Sequence, residues 1–301
     1  KGMIVVENRA ERTLRPFGGL AWPIPRRLPM LGLLRNKQGI VGLLLLAPLL
    51  AVALFAPALP LADPLKSDIK AGLLPPSFEH PFGTDKIGRD VFSRTVSGMQ
   101  TSMIVGFTVA LITLAGGMLI GTISGFFGGR LDRLLMAVTD IFLSFPSLLL
   151  AIALVAIFGA GMLPVILAIS IADLPRSIRL QRSLVLSVKS RTYIDAARMV
   201  SAPKRWLMFR HIVPNTITPM LVSASIIAAS AILTEASLSF LGLGITPPAP
   251  SLGNIIKDGQ PYMQEAWWIS TMPGLVIFVI AVSLHLLSDG IREALDPRAT
   301  R

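Results

Sequence analysis

Long uncharged stretches bracketed by Lys and Arg constrain this 301-residue chain more than any other feature. An α-helix needs about 20 residues to cross the roughly 30 Å apolar layer of a bilayer. Hydrophobic residues make up 52% of the chain, charged residues make up 15%, and the mean hydropathy is +0.67. These values exclude an ordinary soluble globular domain. The sequence therefore predicts an all-α, polytopic membrane protein.

Six crossings fit into these stretches. Two of them share a run that is too long for one helix, and Gly159, Gly161 and Pro164 interrupt it. Because Gly and Pro favour turns, we expect a tight turn at that point. The stretches cover about residues 39–62, 95–129, 134–172 (two crossings), 212–233 and 268–288.

Lys and Arg residues are unevenly divided among the segments that connect the crossings. Twenty-two of the 28 fall on one side. Since short loops rich in Lys and Arg stay in the cytoplasm, we expect a multi-pass protein of the bacterial inner membrane with both termini cytoplasmic. The expected parts are a basic tail at 1–38, a first helix with an extracytoplasmic loop at 39–98, a five-helix core at 99–290, and a tail at 291–301.

The net charge of +11 follows from this topology. The basic residues lie beside the spans and no nucleic-acid-binding motif accompanies them, so nucleic acid is not an expected partner. Attraction to anionic membrane lipid is expected instead. The chain has no Cys, which excludes a disulfide and a thiolate metal site.

Glycines recur every four residues in the second crossing. Small residues at this spacing let helix backbones approach closely in lipid, so we interpret them as a packing face of a central helix. Lining a pathway is the less favoured alternative. The residues are Gly117, Gly121, Gly125 and Gly129.

The apparent enzyme motifs in this sequence lack residues that the corresponding chemistry requires. The segment Gly83–Asp90 has the glycine spacing of a phosphate loop, but Arg89 and Asp90 replace the required Lys-Ser/Thr pair. The three histidines, at 80, 211 and 285, are too scattered for a zinc site. No nucleophile with a neighbouring base is evident. We therefore expect a non-catalytic chain without its own cofactor or metal.

Three carboxylates fall within or beside crossings, where an Asp costs about 2.5–3.5 kcal/mol at the helix centre. Asp140 lies two turns beyond Arg133, and Asp173 lies three residues before Arg176, so local ion pairs and a structural role are expected. Glu235 has no Lys or Arg nearby in sequence. Two alternatives stay open for it, namely a pathway or gating group together with Ser239 and Phe240, and a buried structural hydrogen bond.

The basic segment Tyr193–Asn215 separates two long apolar stretches. Its pattern predicts a short helix, a turn at Ala202-Pro203 and a second short helix that re-enters the membrane near Pro214. Small residues at 196 and 197 offer a low surface to a soluble partner, and an amphipathic helix lying on the membrane is the alternative. Within residues 183–214, the expected contact residues are Tyr193, Asp195, Ala196, Ala197, Arg198, Ser201, Ala202, Trp206, Phe209 and Pro214, with Met208 as a further apolar anchor.

The spacing of this segment is similar to the cytoplasmic signature of bacterial ABC importer permeases. That signature reads E-A-A, three residues, G, nine residues, then I-x-L-P. The matching residues are Asp195-Ala196-Ala197, Ser201 in the glycine position, His211 in the Ile position, and Val213-Pro214. Further matches to the dipeptide, oligopeptide and nickel branch are Gly83-Thr84-Asp85, Phe145-Pro146-Ser147, Leu238–Gly244, Pro250–Asn254, Trp267-Trp268 and Asp289–Arg292.

The resemblance implies the fold of a type I ABC importer permease. It also implies a second homologous permease, two cytoplasmic ATPase subunits that hold ATP and Mg, and an extracytoplasmic substrate-binding protein. Closure of the ATPases would move the coupling loops and produce alternating access. Peptide import is the leading hypothesis. A nickel chelate or another small solute is the alternative substrate, and a non-transporting membrane scaffold is the alternative class of protein.

Overall fold

The computed structural model describes residues 36–294, and its regular structure over that range is helical. Most of the predicted N-terminal tail (1–35) and the last residues of the predicted C-terminal tail (295–301) lie outside the described residues. The helices are α1 (Lys37–Phe55), α2 (Val91–Phe127), α3 (Gly129–Leu143), α4 (Ser147–Phe158), α5 (Met162–Lys189), α6 (Thr192–Met199), α7 (Lys204–Leu207), α8 (Val213–Phe240), α9 (Leu252–Gly259) and α10 (Trp268–Ala294).

Among the described residues, four helical segments are long and apolar enough to cross a membrane. These are Lys37–Ala58, Val91–Phe127, Lys204–Phe240 and Trp268–Ala294. A fifth crossing results if α3 and α4 are taken together. Helix α5 has the length of a crossing, 28 residues, but carries Asp173 and four basic residues. The predicted all-helical membrane fold is confirmed.

The third crossing is not a single helix, contrary to the prediction. Helices α3 and α4 are bent by 89° at a break before Ser147. Pro146 explains the break, because it has no N–H to donate and disfavours helical backbone at Phe145. The predicted turn after α4 is confirmed, since Gly159 and Gly161 adopt φ values of +91° and +140° there.

Helices α2 and α5 pack together over the predicted glycine face. A Cβ built on Gly117 would lie 2.5 Å from Ser177 Cβ, and one on Gly121 would lie 2.6 Å from the Ile178 carbonyl oxygen. Gly125 is similarly tight, with Val185 Cβ at 2.9 Å. The close contact therefore depends on the missing side chains.

Gly129 does not belong to this face, so that part of the prediction is wrong. Helix α2 ends at Phe127, and Gly128 and Gly129 both have positive φ, at +67° and +65°. A Cβ on Gly129 would meet nothing within 4 Å. The two glycines instead allow the chain to reverse direction between α2 and α3.

The segment that precedes α2 is fixed to the helical core by Asp85, which is 2% exposed. Its carboxylate accepts hydrogen bonds from the backbone N–H groups of Ile87 and Arg89, both at 3.0 Å, and forms an ion pair with Arg94. Arg94 also reaches Asp258 of α9 at 3.3 Å. Backbone donors that a phosphate would need are therefore occupied by this carboxylate, which agrees with the rejection of a phosphate loop.

We expect Gly121→Ala to lower the free energy of unfolding by about 1–3 kcal/mol, because its Cβ would overlap the backbone of α5. Gly274→Ala is the matched control, since a Cβ on this helical glycine meets nothing within 4 Å. Alanine there should be neutral or stabilising by up to about 1 kcal/mol. Thermal unfolding of the detergent-solubilised protein measures both, and equal midpoints would contradict the packing argument.

Candidate functional site

The basic segment between α5 and α8 forms the predicted helix-turn-helix. Helix α6 ends at Met199, residues 200–203 turn, and α7 begins at Lys204. Helix α7 then runs through a π-helical turn, Met208–Ile212, directly into α8. We call residues 190–214 the coupling loop. It lies between the ends of two long helices, as two short helices joined by a turn.

The turn after α6 is a Schellman motif. Ala202 N–H donates to the Ala197 carbonyl at 3.1 Å, and Ser201 N–H donates to the Arg198 carbonyl at 2.9 Å. This motif requires left-handed backbone at its C′ position, where Gly is usual. Ser201 occupies that position with φ +57°. Serine in place of the family's glycine therefore still allows the turn, but the serine backbone is strained there.

A π-helical turn joins the coupling loop to α8 because the sequence there disrupts regular helical hydrogen bonding. Pro214 has no N–H to offer the carbonyl four residues before it. Val213 N–H bonds instead to the Met208 carbonyl, and Asn215 Nδ2 donates to the His211 carbonyl at 2.5 Å. The Met208 and His211 carbonyls therefore stay hydrogen-bonded at the junction, and the helix continues into α8.

An apolar cluster supports the coupling loop from beneath. It contains Phe126 of α2, Val185 and Val188 of α5, Leu207 and Ile212, and Ala197, Ala202 and Met208 pack against it. Lys189 Nζ donates to the Phe126 carbonyl at 2.7 Å, and Arg182 donates two hydrogen bonds to Asp132 of α3, at 2.6 and 2.7 Å. The loop thus packs on α2 and α5, and α5 is in turn bonded to α2 and α3.

The outer surface of the coupling loop carries exposed apolar side chains among its basic ones. Trp206 and Phe209 are 46% and 65% exposed, as their predicted contact role requires. Met199 and Val200, 81% and 78% exposed, extend this surface. The predicted contact residues did not include Met199 and Val200. Two adjacent large apolar residues directly before a turn could have indicated them. Together they form a surface suited to a protein partner.

Other predicted contact residues lie around this surface. Ala196 is exposed, whereas Ala197 is half-buried in the apolar cluster. Arg198 Nη1 donates to Asp195 Oδ1 at 3.0 Å, as expected for a pair on one helical face. His211, in the family's Ile position, packs its ring 4.5 Å from Trp206 and 6.0 Å from Tyr193. The imidazole therefore fills an apolar position by packing edge-on against Trp206 and at a tilt to Tyr193.

The predicted pathway group Glu235 lies far from any surface. It is fully buried and accepts hydrogen bonds from Ser102 of α2 at 2.6 Å and Ser239 at 2.8 Å. Ser239 is 2% exposed, and Phe240 ends α8 with a half-buried ring. This position favours the structural alternative for Glu235, and the pathway role stays a prediction.

The two remaining carboxylates do not form the expected local pairs. Asp140 forms an ion pair with Arg179 of α5 instead of Arg133, because the break after α3 turns this helix across α5. Asp173 is 6% exposed and makes no close ion pair within residues 36–294, although the charge of Arg176 lies near enough to interact with its carboxylate. Sequence spacing along one helix could not reveal a partner on another helix.

Comparison with known proteins defines the class to which this multi-span helical protein belongs. Residues 117–301 match the family described as "Binding-protein-dependent transport system inner membrane component". The chain is 38% identical to the di/tripeptide transport system permease protein DppC of Pseudomonas aeruginosa (strain UCBPP-PA14), over 93% of this chain and 94% of the relative. It is 42% identical to the probable D,D-dipeptide transport system permease protein DdpC of Escherichia coli (strain K12), over 83% and 84%.

A solved structure described as an amino acid ABC transporter with histidines has the same fold, with a TM-score of 0.54 at 16% identity. The match covers 67% of this chain and 94% of that one. The chain thus has the architecture of an ABC transporter permease. It belongs to the binding-protein-dependent transport system inner membrane component family, as a non-catalytic subunit of an ABC importer. Membership implies a partner ATPase and a substrate-binding protein.

Ser201→Gly is expected to stabilise the protein by about 1 kcal/mol, because glycine adopts the left-handed backbone without the clash of a Cβ. Ser201→Val should do the reverse, since a β-branched residue is strained at positive φ. Thermal unfolding in detergent should give the highest midpoint for the Gly variant, a lower one for the natural Ser and the lowest for the Val variant. A glycine variant less stable than the natural chain would contradict the strained turn.

Glu235→Ala should destabilise the protein by about 1–3 kcal/mol, because two buried serine hydroxyls lose their acceptor. Glu235→Gln keeps an acceptor oxygen and should lose less. The control is Glu79→Ala, an exposed carboxylate whose removal should leave the unfolding midpoint unchanged. If Glu235 instead gates the pathway, Glu235→Gln should lose solute uptake while its thermal unfolding midpoint stays unchanged.

Proposed function

We propose that this chain is one of two homologous permeases of a peptide importer in the bacterial inner membrane. The two permeases together enclose the translocation pathway. Support for peptides as substrate comes from relatives that are named as di/tripeptide, dipeptide and oligopeptide permeases and that align over most of the chain. The nickel-chelate alternative has no such support among these relatives.

The coupling loop is the observation that carries this proposal. It combines exposed apolar side chains with a base packed on α2 and α5, which a surface-lying amphipathic helix would not need. The side of the membrane follows from the excess of Lys and Arg there, which places the loop and both termini in the cytoplasm. Two ATPase subunits, one for each permease, bind the coupling loops, and the extracytoplasmic binding protein delivers peptide on the opposite side.

Movement of the ATPases enters this chain through α6. The Schellman turn joins α6 to α7, and the π-helical turn makes α7 continuous with α8. Since α6 also packs on the ends of α2 and α5, a push on the loop moves these helices together. Packed helices respond as rigid bodies, which is how alternating access opens one side while closing the other. ATP and Mg are bound by the ATPase subunits, and this chain transmits the motion.

Ala196→Arg tests whether the loop transmits force. The added side chain would project from the exposed face of α6 into the ATPase, so peptide uptake by the reconstituted importer should fall at least about tenfold, which corresponds to about 1.4 kcal/mol of lost coupling. Peptide uptake and ATP hydrolysis are measured in the same proteoliposomes. Hydrolysis should lose its dependence on the loaded binding protein.

Ser187→Arg is the control, because it adds the same side chain at an exposed position of α5 that lies outside the coupling loop. It should retain uptake. Normal uptake by Ala196→Arg would overturn the coupling role. A complex that never transports solute under any condition would instead favour the non-transporting scaffold. Uptake without any ATPase subunit would point to a self-sufficient carrier.

A further inference from the structure

One face of α3 is apolar and exposed in the part of the chain that the structure describes. Residues at spacings of three and four lie on the same side of a helix. At these spacings α3 carries large apolar side chains that are 43%, 64%, 47% and 62% exposed, namely Leu131, Leu134, Val138 and Ile141. Such a row in a helix of 15 residues marks a surface that contacts lipid or another protein.

The other side of α3 is bonded to the long helices. Asp132 accepts hydrogen bonds from Ser124 of α2 at 2.5 Å and from Arg182 of α5 at 2.6 and 2.7 Å. Asp140 forms an ion pair with Arg179 of α5. These bonds lie at both ends of α3, so they fix the direction in which its apolar face points.

The same bonds show that α3 runs across α5. From Asp132 to Asp140 the chain advances eight residues, which is about 12 Å of helix. Their partners on α5, Arg182 and Arg179, are only three residues apart, or about 4.5 Å. Helices that ran side by side would advance equally. The 89° bend between α3 and α4 agrees with this, because α4 packs along the first half of α5.

Helix α3 meets α5 at the boundary of the membrane. The apolar part of α5 ends at Ala172, so Arg179 and Arg182 lie beyond it, on the side of the coupling loop. A helix that lies across the spans at this level runs parallel to the membrane surface. Amphipathic helices in this position insert their apolar face about 5–10 Å into the boundary between headgroups and acyl chains.

Two arginines beside the apolar face have no partner of opposite charge. Arg130 and Arg133 are exposed, and their side chains form no ion pair or hydrogen bond within residues 36–294. Basic residues at a membrane surface attract anionic headgroups. A guanidinium also matches a phosphate group, to which it donates two parallel hydrogen bonds. An apolar protein partner would supply no negative charge to these arginines, so lipid is the favoured occupant.

We propose that α3 is an interfacial lipid-binding helix and not part of a crossing. Its apolar face enters the leaflet on the side of the coupling loop, and Arg130 and Arg133 bind the phosphate groups of anionic phospholipids. Because Asp132 lies between the two arginines and is bonded to Arg182, the bound lipid also holds the end of α5 on which the coupling loop packs.

The first experiment measures the depth of the apolar face, and the absence of Cys from the chain makes it direct. Leu134→Cys carries an environment-sensitive fluorophore in the complete importer in nanodiscs, with the other subunits free of accessible thiols. A lipid nitroxide just below the headgroup should quench it at least about twofold more than one at the end of the acyl chain. Leu111→Cys, near the middle of α2, is the matched control at 65% exposure against 64% and should show the reverse order.

Three outcomes would overturn the interfacial position. If the deep nitroxide quenches Leu134→Cys more strongly, α3 lies inside the bilayer as part of a crossing. If only a water-soluble quencher acts, the apolar face lies in water. If none of the three quenchers acts, the second permease or an ATPase covers the face. Peptide uptake by the same complex is measured separately, so these outcomes are distinguishable from a failure of the proposed function.

The second experiment tests the arginines. In nanodiscs of phosphatidylglycerol and phosphatidylcholine, a nitroxide is attached to the headgroup of one lipid or the other. Quenching of Leu134→Cys should show about fivefold local enrichment of the anionic lipid, the effect expected of basic residues at a membrane surface. Arg130→Gln combined with Arg133→Gln should reduce the enrichment below about twofold.

Arg292→Gln is the control, because it removes an exposed arginine at the end of α10, and it should leave the enrichment unchanged. Unchanged enrichment in the variant that lacks both Arg130 and Arg133 would overturn their role. Equal quenching by the two labelled lipids in the natural background would overturn it as well.

Discussion

The close approach of α2 and α5 is the contact on which the rest of the structure depends. In lipid, burial of apolar side chains gives helices little reason to associate, so backbone proximity and van der Waals packing must hold them. Gly117, Gly121 and Gly125 provide that proximity. Because the two helices end beside each other, Lys189 reaches the last carbonyls of α2, and the apolar cluster beneath the coupling loop forms between them.

The coupling loop combines rigidity with an exposed contact surface. The Schellman motif holds α6 at a fixed angle to α7, and the π-helical turn makes α7 continuous with α8. A soluble partner that binds the exposed Trp206 and Phe209 therefore moves α7 and α8 together, instead of moving a flexible segment. The strained Ser201 shows that this shape is set by the surrounding hydrogen bonds and apolar contacts, since the local sequence alone does not favour it.

The sequence predicted features that depend on neighbouring residues and missed those that depend on contacts between helices. Glycine spacing indicated the packing face, and Gly159 with Gly161 indicated a turn, because the missing Cβ acts locally. Gly129 was misassigned because the same property that permits close packing also permits the left-handed turn that ends α2. The Asp140–Arg179 pair depends on the bend at Pro146, and the serine partner of Glu235 on α2 depends on helix packing.

Polar groups in this protein are accommodated in two physically different ways. Asp85, Arg94 and Glu235 are buried, and each is bonded to groups on other helices or segments, so they specify how those parts pack. Removing such a partner leaves an unsatisfied group in a low-dielectric environment, which makes these residues structural. Asp140, Arg176 and Arg179 remain exposed because α4 stops covering α5. Exposed ion pairs contribute little to stability, so these three residues hold the helices together less than the buried groups do.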